Sequence, residues 1–195
     1  MQLEIKRQLF HLFFGLVIVF LLKYNILNYY ILLLLIIIGL IISLISKKYK
    51  IPIIWQFLEV FERKEDLKKF PGKGVIFYLI GSFIVVLLFP KDIAMASIII
   101  LALGDSVSHI IGVKYGKLKH PLTNKKFLEG SLAGLIAAFI GAYFFVSLLE
   151  AFFASLFAMI AESIDIKIGL EKVDDNIIMP LVAALVIFLI RVFGF

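Results

Sequence analysis

Leu101 to Lys117 reads LALGDSVSHIIGVKYGK, a stretch that starts as membrane-grade hydrocarbon and ends among lysines. Asp105, Ser108, Gly112 and Gly116 recur at intervals of 3, 4 and 4 residues, so one face of a helix carries them all. A carboxylate inside such a segment costs several kcal/mol unless it faces a cavity, a partner or an ion. The stretch therefore reads as a membrane helix with a functional or paired polar face. Taken alone, GVKYG is a helix-packing notch, and its spacing is too short for a P-loop.

The surrounding chain fixes the class. Of 195 residues, 63% are hydrophobic and 20 are Phe, with a mean hydropathy of +1.09. Soluble domains carry roughly half their residues as apolar. Without cysteine there are no disulfides and no thiolate metal sites. The net charge of +6 resides in basic residues that lie between apolar runs, not in one patch, which points to membrane-bordering loops and not to nucleic acid.

Spans of about 20 apolar residues are expected near Leu9–Leu22, Ile26–Ile45, Val75–Phe89, Ile93–Ile111, Phe127–Leu149, Ala151–Ile164 and Ile177–Phe193. No small-x-small cleavage site follows the first run, so it is read as a retained span. Glu150 marks the expected turn between the fifth and sixth. The expectation is an all-α, polytopic bundle of about seven spans forming one integral membrane domain over 1–195. With a cytoplasmic amino terminus, the inner segments are residues 1–8, 46–74, 112–126 and 165–176. They hold 17 of the 20 Lys and Arg residues, as the positive-inside rule requires.

On that topology Asp105, Glu129, Glu162 and the pair Asp174/Asp175 gather at the cytoplasmic ends of spans with Arg7, His11 and Lys73. Asp92 and Glu150 fall in outer turns. Converging carboxylates amid basic loops are a site for a polyanion and a divalent metal. Arg7 and His11 are four apart on one helical face. His109 reads as a packed or hydrogen-bonded histidine, and ERKEDLKK, Glu62 to Lys69, as a solvated or headgroup-level helix face without chemistry.

GDSVSHIIGVKYGK followed by KKFLEGSLAG resembles the nucleotide-binding signature of the dolichol kinase family. That family includes phytol kinases and CTP-dependent diacylglycerol kinases and is distantly akin to phosphatidate cytidylyltransferases. Its pattern runs Asp-x-x-Ala-x-x-x-Gly-x-x-x-Gly, then a basic loop, then Lys-Lys-Thr-x-Glu-Gly. Asp105, Gly112, Gly116, Lys125, Lys126, Glu129 and Gly130 match it, while Ser108 replaces the alanine and Phe127 the threonine. KRQLFH, PGKG and the closing AESIDIKIGLEKVDDNIIMP extend the likeness from Lys6 to Pro180.

The resemblance implies a kinase that moves the γ-phosphate of CTP to a long-chain lipid alcohol with Mg²⁺ or another divalent cation. Asp105, Arg7, His11 and Glu162 would be catalytic, with Asp105 and Glu129 on the metal. Lys73, Gly112, Gly116, Lys125, Lys126, Glu129, Gly130, Asp175 and Asn176 would bind the nucleotide. Asp105, Glu162 and His11 all remain open as the general base. A cytidylyltransferase acting on a lipid phosphate, or a lipid transporter or binding protein, stays open beside the kinase. Gly/Ala-rich runs such as GSLAGLIAAFIGA allow a homo-oligomer.

Overall fold

A computed structural model describes residues 2–164, 167–168 and 171–194, with the side chains at 124, 125, 167, 168, 171 and 172 outside the described residues. Nine helices appear among them. α1 is Gln2–Lys23, α2 Tyr29–Lys48, α3 Pro52–Phe61, α4 Lys64–Lys69, α5 Lys73–Leu88, α6 Lys91–Tyr115, α7 Leu128–Tyr143, α8 Leu148–Ser163 and α9 Asp175–Phe193. α1, α2, α6 and α9 are long and apolar enough to cross a membrane, and α3, α5 and α7 are shorter apolar helices. The protein is an all-α membrane architecture.

α6 is the centre of the bundle and packs on α1, α5, α7, α8 and α9. Its composition explains the position. Ala94, Ala96, Ser97, Ala102, Gly104, Ser106, Ser108 and Gly112 are all buried and small. Between helices in lipid there is little hydrophobic drive, so close backbone approach supplies the attraction. α6 crosses α7 closely: a Cβ on Gly134 would meet the Gly104 carbonyl oxygen at 2.6 Å and Ser108 Cβ at 2.7 Å. α2 lies at the other extreme, with Leu34, Ile37, Ile41 and Leu44 exposed as a lipid-facing wall.

Several expectations need correction. The break between the fifth and sixth apolar runs falls before Glu150, since α7 ends at Tyr143 and α8 begins at Leu148. The cause is a capping box: Ser147 Oγ accepts from the Glu150 N–H, and Glu150 Oε2 accepts from the Ser147 N–H. Glu150 is thus helical, and it is not idle. Arg191 Nε donates to its Oε1 at 2.6 Å while Arg191 also pairs with Asp92 at 2.7 Å, joining α6, α8 and α9 at one end. α1 starts at Gln2 and α6 runs to Tyr115, beyond the apolar cores read for them. Finally, two short antiparallel hairpins lie in the connections of the otherwise all-α architecture. β1 (Lys119–His120) pairs with β2 (Thr123–Phe127), and β3 (Lys167–Ile168) with β4 (Glu171–Lys172).

Candidate active site

A cavity of about 540 Å³ opens at the end of the bundle opposite the Arg191 cluster. Seven segments meet there: the first half of α1, the end of α3, residues 62–66, the start of α5, the last turns of α6, the end of β2 and the start of α9.

α1 and α6 carry its centre. Arg7, Gln8 and His11 share a face of α1 by their spacing, and Asp105, Ser108 and Gly112 share one of α6. His11 Nε2 stands 3.6 Å from Asp105 Oδ2, too far for a hydrogen bond but close for a charge pair. The His11 ring meets Tyr78 edge-on at 4.5 Å between centroids.

Beneath this pair lies an ion pair between a buried carboxylate and a partly exposed lysine. Lys126 Nζ is 2.7 Å from Glu162 Oε1 and donates to the Glu162 carbonyl at 2.6 Å, and Ser108 Oγ donates to the same carboxylate at 3.1 Å. Glu162 is 2% exposed and does not line the cavity; Lys126 does.

Two helix N-termini converge on the opposite wall. Gly72, with φ +81°, turns the chain into α5 in the left-handed region that glycine tolerates without strain. Asp174 caps α9 by accepting from the Asn176 N–H at 3.2 Å and its Nδ2 at 2.8 Å. Gly81, midway along α5, lets that helix sit against the Asn176 carbonyl, where any Cβ would collide, so α9 starts beside the middle of α5 while the first turn of α5 reaches the same cavity. Lys73 Nζ is 4.0 Å from Asp174 Oδ2. Asp174 and Glu62 already occupy amides at these helix starts, so Lys73 is the group on this wall that suits an anion.

Segment 62–72 closes the rim. Glu62 Oε2 accepts from the Gly72 N–H at 2.9 Å, and burial pushes its carboxyl above the ordinary range, partly offset by that hydrogen bond. Arg63 Nε donates to Glu4 Oε1 at 2.7 Å, while Arg7 and His109 stand 3.6 and 3.5 Å from Glu4 Oε2. The stretch read as a solvated or headgroup-level face therefore contributes Glu62, Arg63 and Asp66 to the cavity wall.

Of the residues singled out from sequence, Arg7, His11, Lys73, Asp105, Gly112, Lys126, Asp175 and Asn176 line the cavity. Glu162 lies behind Lys126. Glu129, Gly116 and Gly130 stand off the lining. Glu129 accepts from the amides of Lys117 and Leu118 at 3.1 Å, steadying the turn into β1. Gly116 caps α6 against Phe127, and Gly130 packs on Gly112 and the Ser108 carbonyl. Lys125 lies in β2, with its side chain outside the described residues. Gln8, Tyr78 and Glu62 were not singled out, although Gln8 sits within KRQLFH, three residues before His11.

The carboxylates of Asp105, Asp174 and Asp175 share this cavity. Among the described residues no three acid or histidine groups converge on one cation position. Mg²⁺ usually takes one or two protein carboxylates and completes its shell with waters and substrate phosphates, so the donor set fits a phosphate-borne ion.

No protein-family model matches the chain, and no solved structure does. An uncharacterized protein of Methanocaldococcus jannaschii is 36% identical over 187 residues, covering 94% of this chain and 92% of the relative. CTP-dependent diacylglycerol kinase 1 of Schizosaccharomyces pombe is 32% identical over 142 residues, 64% of this chain and 63% of that protein. A probable chloroplastic phytol kinase of Triticum aestivum is 33% identical over 135 residues, 60% of this chain and 44% of that protein. The named kinases are thus matched over less than two thirds of their own length. The signature residues Asp105, Gly112 and Lys126 on one cavity, and relatives of this kind, lead to the same conclusion: the chain belongs to the family of membrane lipid kinases that includes the phytol kinases and CTP-dependent diacylglycerol kinases.

Proposed function

We propose that the protein is a CTP-dependent kinase that phosphorylates a membrane-embedded lipid alcohol, a polyprenol, dolichol-like or other isoprenoid alcohol or a diradylglycerol. The observation that carries this reading is the His11–Asp105 pair standing in one cavity with Arg7, Lys73, Lys126 and two helix N-termini.

In this reading the triphosphate lies along the starts of α5 and α9, where Lys73 meets its oxygens, with Arg7 and Lys126 on the other side. A divalent cation, held by Asp105 and the phosphates, would neutralise the charge that builds up during transfer. The alcohol oxygen attacks the γ-phosphorus, and the bond to the β,γ-bridging oxygen breaks, leaving CDP. His11 takes the hydroxyl proton, and Asp105 orients the imidazole. Glu162 is already committed to Lys126, so it holds that cation in place instead of acting as base. Glu129 acts on the hairpin, not on the metal. Phosphoryl transfer is mainly positioning and charge neutralisation, and these groups supply both.

The seven longer helices α1, α2 and α5–α9 are read as spans of one membrane domain with the cavity facing the cytoplasm, supported by 17 of 20 basic residues on that side.

The test uses CTP labelled at the α or the γ position with lipid alcohol or lipid phosphate. γ-Label on the alcohol is expected. α-Label on lipid phosphate would make the protein a cytidylyltransferase, and no transfer in either assay would remove the enzymatic reading.

A further inference from the structure

The cavity changes character toward α3. Phe57 and Phe61 face Phe10 of α1, with centroids 5.2 and 5.0 Å away, and they lie 4.7 Å from each other. Phe10 stacks on Phe14 at 5.7 Å, and Phe14 meets Tyr78 edge-on at 5.4 Å. Rings therefore run without a break from α3 to Tyr78, and Tyr78 touches His11. All of these phenylalanines line the cavity.

Both ends of this row are informative. At the outer end α3 is apolar outward as well as inward: Ile53 is 82% exposed, and Phe57 and Val60 are exposed beside it. An apolar face of that kind on a short helix outside the spans suits the boundary between headgroups and acyl chains. At the inner end Gln8 is 3% exposed, and its Oε1 has no hydrogen-bond partner among the described residues; nor has the buried His11 Nε2. A buried amide oxygen left without a partner is costly and is satisfied where a ligand donates a hydrogen bond to it. One end of the path is therefore hydrocarbon-like and open to the bilayer, and the other is polar and three residues along α1 from His11.

We infer that the acceptor lipid enters sideways between α1 and α3, its chain lying along Phe57, Phe61, Phe10 and Phe14 and its hydroxyl held by the Gln8 amide beside His11. This rests on the kinase reading for the identity of the hydroxyl, but the path itself does not depend on turnover. α3 is then the substrate gate and Gln8 the residue that sets the depth of the alcohol oxygen.

Two experiments on the full-length protein test it. A long-chain primary alcohol with a diazirine in its tail is photolysed with the wild type in detergent–lipid micelles, and the labelled peptides are sequenced. Label is expected in the α1 and α3 peptides and is lost with excess unlabelled alcohol. Label confined to α2, α5 or α9 would overturn the proposal. Because this readout needs no CTP, label at α1 and α3 in a protein without kinase activity would remove the kinase reading and keep the portal. In steady-state kinetics, Gln8→Leu and Phe57→Asp are each expected to raise KM for the lipid alcohol by about tenfold, a typical effect of one altered contact in a substrate pocket. KM for CTP stays within about twofold on the same grounds. Phe57→Ala, which introduces no charge, guards against misfolding and is expected to show the same split more weakly. Equal rises for both substrates, or none for the alcohol, would overturn the proposal.

Discussion

Lys126 Nζ lies 2.7 Å from Glu162 Oε1 and bonds the carbonyl of the same residue at 2.6 Å, so one buried carboxylate fixes the cation at the end of β2. Breaking a buried pair from one side strands a charge and costs about 3–5 kcal/mol, whereas replacing both partners is often neutral. Lys126→Met alone is expected to lower the thermal midpoint sharply. Lys126→Met with Glu162→Met restores much of the stability but leaves CTP binding weak. Recovery of nucleotide binding in the double variant would show that Lys126 serves the fold and not the phosphates.

Among the described residues Lys73 and Arg7 face the cavity with looser partners, at 4.0 Å from Asp174 and 3.6 Å from Glu4. A hydrogen bond to a charged group contributes about 1.5–3 kcal/mol, so Lys73→Ala or Arg7→Ala is expected to weaken CTP binding at least about tenfold. Lys68 and Lys69 are exposed on α4 and do not line the cavity. Their alanine variants are expected to bind CTP as the wild type does. Titration of a fluorescent CTP analogue compares the two pairs, and equal losses would mean the phosphate wall is elsewhere.

Much of the site was legible because its residues obey helical spacing. Asp105, Ser108 and Gly112, and likewise Arg7 and His11, fall on single faces that the fold turns inward. Glu62 and Arg63 were not legible. They sit in a charged run whose local pattern is that of a solvated helix, and only the return of the chain at Gly72 and the approach of Glu4 give them partners. Gly112 and Gly130 look alike as motif glycines, yet the second is used to let α7 cross α6 closely. The turn before α8 was readable from the Ser147–Glu150 capping box but was masked by apolar residues on both sides.

Glu62 links the rim to pH. Its folded-state pKa lies above its unfolded value, so its favourable contribution is present below the ordinary carboxylate pKa and is lost as pH rises through the raised folded value. Glu62→Gln keeps an acceptor for the Gly72 N–H without the buried charge. The variant is expected to match the wild type in thermal midpoint at low pH and exceed it at pH 8. A wild type more stable than the variant at pH 8 would show that the charged carboxylate is the favoured form.

The direction of the bundle is open to chemical labelling. Leu122, in the β1–β2 turn, is exposed, and Lys91 lies at the far end, bonded to Asn25 and the Lys23 carbonyl. Leu122→Cys in intact cells is expected to resist an impermeant thiol reagent, while Lys91→Cys reacts. The reverse pattern would invert the bundle.

The most direct measurement is transfer from γ-labelled CTP to a lipid alcohol by the wild type and by Asp105→Asn, with both proteins shown to be folded by gel filtration and thermal melting. Asparagine keeps the shape beside His11 but is a poor ligand for a divalent cation and a poor partner for an imidazolium. Loss of even an outer-shell partner of a metal costs about 10–100-fold, so the variant is expected to fall by more than 100-fold at unchanged stability. A folded Asp105→Asn protein that phosphorylates the alcohol at near the wild-type rate would contradict the placement of the reaction at the His11–Asp105 pair.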